Sequence, residues 1–203
     1  MAQDPDHKAI LWHYLRIQRQ VFLDKLEGLS EQQARTPLTG TGTNILGVFK
    51  HAVSVEGGYL GDCFGRPSPV EFPWFAEGAE DNADMWATPE ESIPWLLDLA
   101  ERVWAHSDKT LAELDLDTPG QVAWWRDGEV TLHRVLVHVI AEYARHAGHV
   151  DLCRELLDGE VGWQRNSRVM PDRDEQWWGE YVERLRRVAD ESSREPVRRS
   201  AEG

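Results

Sequence analysis

Apolar residues recur every three or four positions in five segments of the chain, which is the pattern of helices that pack by one face. The first segment shows the pattern with Ile10, Tyr14, Ile17 and Val21. The predicted helices cover residues 6–26, 43–64, 88–114, 132–158 and 174–189. No segment has the alternation that would predict a strand with confidence. The pattern therefore predicts an all-α protein.

Capping residues indicate where two of these helices begin. Thr43 is the predicted N-cap of the second helix. Thr88, Pro89 and Glu91 predict a capping box with proline at the first helical position of the third helix. Pro94 lies within the first two turns of that helix, so a kink or a later start is the alternative.

Four long helices with few breaks predict an up-and-down four-helix bundle, which we expect to occupy residues 1–160. Residues 161–191 are predicted to form a C-terminal helical appendage that packs on the bundle. The polar, arginine-rich segment 192–203 is predicted to be a disordered tail.

Two connections between helices are long and rich in aromatic residues. Residues 65–87 include Phe72 and Phe75, and residues 115–130 include Trp124-Trp125. Loops of this length are usually functional or wrapped over the surface. These aromatic residues could roof an apolar substrate pocket, and ordinary packing in the core is the alternative.

Composition and charge exclude several classes of protein. The chain has 203 residues and a formal net charge of −14, which would repel the phosphate backbone of a nucleic acid. No apolar run approaches the roughly 18 to 20 residues that span a bilayer, and the polar N-terminus does not resemble a signal peptide. We therefore expect a cytoplasmic protein that binds neither membranes nor nucleic acids. Cys63 and Cys153 are expected to be buried, reduced thiols.

The candidate chemistry lies in the fourth predicted helix. Glu142 and His146 are four residues apart, so they are neighbours on one face, about 6 Å apart along the axis. An ionised carboxylate beside a core is costly to desolvate, and a metal ion would offset that cost. His51, on the second helix, is the best candidate for a third ligand, and Gly47 one turn earlier leaves room. Three protein ligands leave a position open for substrate.

Two further histidines flank this pair. His138 and Glu142 also have chelating spacing, and so do His146 and His149. A single ion should not bind both Glu142 and His149, because they are about 10 Å apart along the helix. We therefore expect His149 to be a hydrogen-bond partner of a ligand or a gate. The alternative for the whole stripe is that it is structural and binds no metal.

Two segments carry a family resemblance. NILGVFKHAVSVEGGYL (residues 44–60) and HVIAEYARHAGHVDLCREL (residues 138–156) resemble the DinB-like superfamily of metal-binding four-helix bundles. They look closest to its actinobacterial branch, which includes mycothiol-dependent maleylpyruvate isomerase. The resemblance implies ligation by His51, as the histidine of the second helix, and by Glu142 and His146, as the Glu-xxx-His pair. It also implies Zn²⁺ or another divalent ion and a homodimer, but the residues after Gly159 do not match the isomerase's C-terminal domain.

The leading hypothesis is a metal-dependent thiol S-transferase, in which a low-molecular-weight thiol such as mycothiol attacks a small electrophile. Zinc is the expected ion, and nickel, iron and manganese are alternatives. His149 or His138 is the predicted proton-handling catalytic residue. Two other functions stay open, namely hydrolysis by a metal-activated water and a metal-binding stress protein without catalysis.

Overall fold

The computed structural model describes residues 6–163 and 170–192. The chain divides into two compact units, Met1–Ser167 and Arg168–Gly203. The helices are α1 His7–Leu26, α2 Glu31–Arg35, α3 Ile45–Leu60, α4 Ile93–Glu113, α5 Leu132–Asp158 and α6 Glu175–Glu191. Two short strands, β1 Pro119–Gln121 and β2 Glu129–Thr131, form an antiparallel pair.

The first unit is the predicted helical bundle. Helix α1 packs on α5, and α3 packs on both α4 and α5. Large side chains from all four helices fill the core, among them Leu15, Phe22, Phe49, Leu99 and Tyr143. Helix α3 is buried on nearly all of its faces, which explains why its sequence is so apolar. The all-α bundle expected from the hydrophobic pattern is therefore confirmed.

Helix α4 begins later than the capping box at Thr88 predicts. Ser92 is the N-cap, its hydroxyl accepting from the backbone N–H of Trp95, and Pro94 lies in the first turn. The Glu91 carboxylate does accept from the backbone N–H of Thr88, but it is also bound by Lys50. Since the proline is tolerated only in the first turn, the later of the two possible starts is the one adopted.

Helix α3 also differs at both ends from the predicted range of residues 43–64. Asn44, not Thr43, is the N-cap, and its side chain accepts from the backbone N–H of Gly47 at 2.7 Å. The helix ends at Leu60, and a separate 3-10 turn, Asp62–Phe64, follows. Asparagine and threonine are both good N-caps, so the sequence alone did not distinguish a helix that begins after Thr43 from one that begins after Asn44.

The hairpin of β1 and β2 and the short helix α2 are absent from the sequence prediction. Each strand has three residues, and α2 has five. Segments this short do not complete enough periods for a pattern to be read. The hairpin holds Trp124 and Trp125 in its turn.

The second unit contains α6, the helix predicted at residues 174–189. Its apolar side chains Val182, Leu185 and Val188 are exposed. The predicted packing of this segment on the bundle stays a prediction, and residues 193–203 of the predicted tail lie outside the described residues. Among the helices that the structure describes, none is long and apolar enough to span a bilayer.

Candidate metal centre

The three residues predicted to bind a metal lie together where α3 packs on α5. One ligand atom from each of His51, Glu142 and His146 lies within 4.8 Å of the other two. The rings of His51 and His146 are 4.7 Å apart between centroids, and Nε2 of His146 is 3.4 Å from Oε2 of Glu142. The side chains are partly to mostly buried, with His146 only 12% exposed. The packing of two helices thus brings His51 next to two groups that lie 91 or more residues further along the sequence.

Asp84 makes a hydrogen bond to Nδ1 of the His51 ring. Nδ1 of His51 is 2.5 Å from Oδ2 of Asp84. This hydrogen bond lowers the pKa of Asp84, so the carboxylate is ionised and can only accept. The Nδ1–H of His51 is therefore the donor, and its Nε2 keeps a free lone pair. Asp84 was missed by the sequence analysis, because a single aspartate in a long irregular connection forms no pattern.

The loop that carries Asp84 is fixed to α3 by two residues of that helix. A side chain at Gly47 would come within 1.8 Å of the carbonyl oxygen of Met85, so only glycine lets the loop cross here. The buried Lys50 donates to the carbonyl oxygens of Ala83 and Trp86. The space predicted beside Gly47 is therefore present, and the backbone of the loop at Met85 occupies it.

His149 is the hydrogen-bond partner of the His146 ring. The two Nδ1 atoms are 3.3 Å apart, so one of the rings donates to the other. Burial, with a smaller contribution from the His51 ring, lowers the pKa of His146 to about 4. His146 is therefore a neutral imidazole at physiological pH, the form that binds metal ions.

His138 lies one turn before Glu142 and faces aromatic rings. Its Nε2 is 3.8 Å from Oε1 of Glu142, and its ring makes edge contacts with Tyr59 and Trp125 at about 4.7 and 4.8 Å between centroids. The structure thus brings His138 to Glu142 and His149 to His146. The two predicted proton-handling residues are on opposite sides of the ligand pair along α5.

A cavity of about 750 Å³ opens beside the cluster, and His51 and Glu142 form part of its wall. Both aromatic loops contribute to it, through Phe72, Phe75 and Trp124. The predicted roof of aromatic residues is therefore present. Trp74, which lies between Phe72 and Phe75 in the sequence, instead packs in the core, where its indole N–H donates to the hydroxyl of Ser54.

Gly57 in α3 and the hydroxyl of Tyr59 shape this cavity. A side chain at Gly57 would come within 2.6 Å of the Phe72 ring, so the glycine lets that ring lie directly on the helix. Tyr59 accepts hydrogen bonds from the indole N–H groups of Trp124 and Trp125. These contacts fix the aromatic side of the cavity to the helix that carries His51.

The two cysteines take no part in the cluster. Both are buried and free. Burial raises the pKa of Cys63 to about 11 and also raises the pKa of Cys153. At neutral pH both are thiols rather than nucleophilic thiolates, which agrees with the expectation from sequence.

The donor atoms of the cluster suit a divalent transition ion. Two imidazole nitrogens and one carboxylate form a ligand set found in catalytic zinc sites. The ligand atoms lie within 4.8 Å of one another, which is close enough for all three to bind a single ion. The same donors accept nickel, iron and manganese, so they do not select one metal.

Comparison with known proteins gives a family. The sequence profile of the Mycothiol-S-transferase family matches residues 10–159. A crystal structure of a conserved protein from Enterococcus faecalis has the same fold, with a TM-score of 0.58 and 15% identity over 77% of this chain and 100% of that chain. A search of curated proteins gives no match. The DinB-like resemblance is confirmed, and it implies an enzyme that transfers mycothiol: this chain belongs to the mycothiol S-transferase family.

Proposed function

We propose that this protein is a divalent-metal-dependent mycothiol S-transferase that joins the sulfur of the thiol to a small electrophile. His51, Glu142 and His146 are the proposed ligands. The observation that carries the proposal is the convergence of these three side chains, from two helices, at the wall of a cavity. A donor set that borders a cavity leaves a position for substrate, as catalytic sites require.

Zinc is the proposed ion, because the nitrogen and oxygen donors match its preferred ligands. A divalent ion bound there supplies Lewis acidity, which lowers the pKa of a thiol. The chain's own contribution is the orientation of the ligands. Asp84 fixes the tautomer of His51. We assign His146 as the donor in its hydrogen bond with His149, since this tautomer leaves Nε2 of His146 free to bind.

The reaction forms a carbon–sulfur bond. The thiol loses its proton to a base, its sulfur attacks the electrophilic carbon, and the leaving group departs with the bonding electron pair. His138 is the proposed base, because it contacts two residues that line the cavity, Tyr59 and Glu142. His149 lies behind His146 and is proposed to position that ligand.

The test is to load the purified protein with zinc, measure the metal content, and follow conjugation of mycothiol to 1-chloro-2,4-dinitrobenzene. We expect about one ion per chain and a product that requires both thiol and metal. His51→Ala should lose both, whereas His13→Ala, an exposed histidine on α1, should lose neither. Stoichiometric metal with no thiol-dependent product would overturn the transferase, and absence of metal would overturn the site.

The homodimer and the cytoplasmic location also belong to this proposal. The homodimer is inferred from the family resemblance, and the cytoplasmic location is inferred from the composition and the polar N-terminus. Light scattering on the purified protein and fractionation of the cells that make it would test them.

A further inference from the structure

We propose that the cavity selects uncharged or cationic electrophiles with a flat apolar body and discriminates against anionic ones. The inference rests on the proposed transferase function and names the class of its second substrate. It follows from the chemistry of the cavity wall, which combines apolar surface with carboxylates.

The apolar part of the wall fits a flat ring. The aromatic side chains of Phe72, Phe75 and Trp124 and the aliphatic side chains of Val55 and Val70 line the cavity. Aromatic side chains prefer stacked or edge contacts with other rings. A volume of about 750 Å³ accommodates an aromatic electrophile together with the reacting end of a thiol.

The charged part of the wall is acidic. Glu142, Asp62 and Glu71 contribute carboxylates, and no lysine or arginine is among the described residues that line the cavity. Among the lining residues that the structure describes, His51 is the one basic side chain, and Asp84 binds its ring. Lys50, next in sequence, is held by Glu91 and by loop carbonyls instead.

A bound divalent ion does not reverse this balance. Its two positive charges are outweighed by the carboxylates of Glu142, Asp84, Asp62 and Glu71. A thiol that reacts as its thiolate adds a further negative charge. An anionic electrophile would therefore enter against like charges with no arginine or lysine to bind it, whereas a neutral or cationic one would not.

Aromatic electrophiles that share the reacting carbon and the leaving group but differ in charge provide the test. 4-Chloro-3,5-dinitrobenzoate is the anion, its methyl ester is the neutral form, and its trimethylammonioethyl amide is the cation. In each case the thiol sulfur displaces chloride, which leaves with the carbon–chlorine electron pair, and the thiol proton goes to a base. We expect kcat/KM, corrected for the uncatalysed reaction, to be on the order of tenfold lower for the anion than for the ester.

Asp62 and Glu71, the exposed carboxylates at the rim of the cavity, can be neutralised one at a time to test the charge effect. Asp62→Asn and Glu71→Gln should narrow the difference between anion and ester, whereas Glu80→Gln, an exposed acid on the same loop outside the cavity wall, should not. Asparagine at residue 62 can still accept from the backbone N–H of Ser68, as Asp62 does. High salt should also narrow the difference, because it screens charges at the rim.

A second readout does not depend on turnover. Calorimetric titration with the unreactive 4-amino-3,5-dinitrobenzoate and with its methyl ester should give weaker binding for the acid. Equal binding and equal kcat/KM for the acid and ester forms would overturn the charge selection while leaving the transferase intact. Absence of turnover with all three electrophiles would overturn the transferase, and the titration would still decide the selectivity of the cavity.

Discussion

Helix α3 contributes to two clusters of polar side chains, one shared with α1 and α4 and the other with α5, and the clusters satisfy their charges in opposite ways. In the first, Glu56 is fully buried and faces Arg19, with Nη2 of the arginine 2.5 Å from Oε1 of the glutamate. Arg19 also binds Asp108 at 2.8 Å. Burial opposes the charge on Arg19, but the facing carboxylate outweighs it and raises the pKa of the arginine. The first cluster is therefore complete within the protein.

The second cluster consists almost entirely of acceptors. Glu142 pairs only with His138 and His146 in the described part of the chain, and burial lowers the pKa of His146 to about 4. Its imidazole is neutral at physiological pH, so it brings no cation to the carboxylate. His51 and His146 are instead held at Nδ1 by Asp84 and His149.

The difference separates a structural cluster from the proposed metal site, although both include a residue of α3. A buried pair that is complete in itself contributes to the packing of the bundle. In the second cluster, hydrogen bonds at Nδ1 hold the two histidine rings, and one ligand atom of each of the three residues lies within 4.8 Å of the others. Such a group of Lewis bases suits a cation. The comparison predicts that mutations in the first cluster change stability and mutations in the second change metal binding.

The largest effect on stability is expected from Glu56→Ala. It leaves Arg19 buried without its main partner, which should lower the free energy of unfolding by about 3–5 kcal/mol. Urea denaturation measures this. Asp98→Ala, which breaks the exposed pair with Arg102, is the control and should cost less than about 1 kcal/mol. Equal effects of the two variants would contradict the structural role of the first cluster.

Glu142→Ala should have the converse effect. The side chain is 31% exposed and has no buried cation to abandon, so the helical circular dichroism and the stability of the metal-free protein should stay within about 1 kcal/mol of the parent. Metal content and thiol conjugation should be lost. Glu155→Ala, an exposed acid on the same helix, is the control. Unchanged metal content by elemental analysis would remove Glu142 from the ligand set.

Asp84→Ala should weaken metal binding by about 10- to 100-fold, because the His51 ring loses the partner that fixes its tautomer. Asp84→Asn should recover part of the affinity, since its amide oxygen still accepts from Nδ1–H. Competition with a chelator measures both. The control is Asp81→Asn, an exposed aspartate of the same loop. If Asp84→Ala binds metal like the parent, the aspartate does not position His51.

A smaller effect is expected from His149→Ala. A hydrogen bond between neutral rings holds His146 less firmly than a carboxylate holds His51. The variant should keep its metal with reduced affinity and show altered conjugation rates, while His133→Ala, exposed on the same helix, should match the parent. Loss of metal as complete as in His146→Ala would make His149 a ligand, and the proposed set of ligands on α5 would then be wrong.

The smallest effect is expected when both cysteines are replaced. Cys63→Ala with Cys153→Ala should cost about 1 kcal/mol of stability for each buried thiol. Conjugation should be unchanged, because the raised pKa values of both thiols exclude them as nucleophiles at neutral pH. Loss of activity without loss of folding would place a protein cysteine in the reaction.

Sequence reasoning recovered what depends on helical geometry and missed what depends on tertiary contact. The spacing of Glu142 and His146 follows from the rise of a helix, and the structure places both beside His51. The position of Asp84 depends instead on Gly47 and on the buried Lys50, which fix a long loop across α3. No local pattern encodes such contacts.

The same distinction explains the misplaced start of α4. Thr88 and Ser92 are both good caps, and Glu91 matches a capping box with Thr88. The ion pair between Glu91 and Lys50 forms only when α3 is packed beside this segment. This contact with another helix therefore adds to the local effect of Pro94, which is tolerated only in the first turn of the helix.

The most direct test of the account is a crystal structure of the metal-loaded protein with anomalous diffraction measured at the absorption edge of the ion. The account predicts one anomalous peak, enclosed by Nε2 of His51, a carboxylate oxygen of Glu142 and Nε2 of His146. A peak bound elsewhere, or a His51 ring turned away from the two groups on α5, would contradict it.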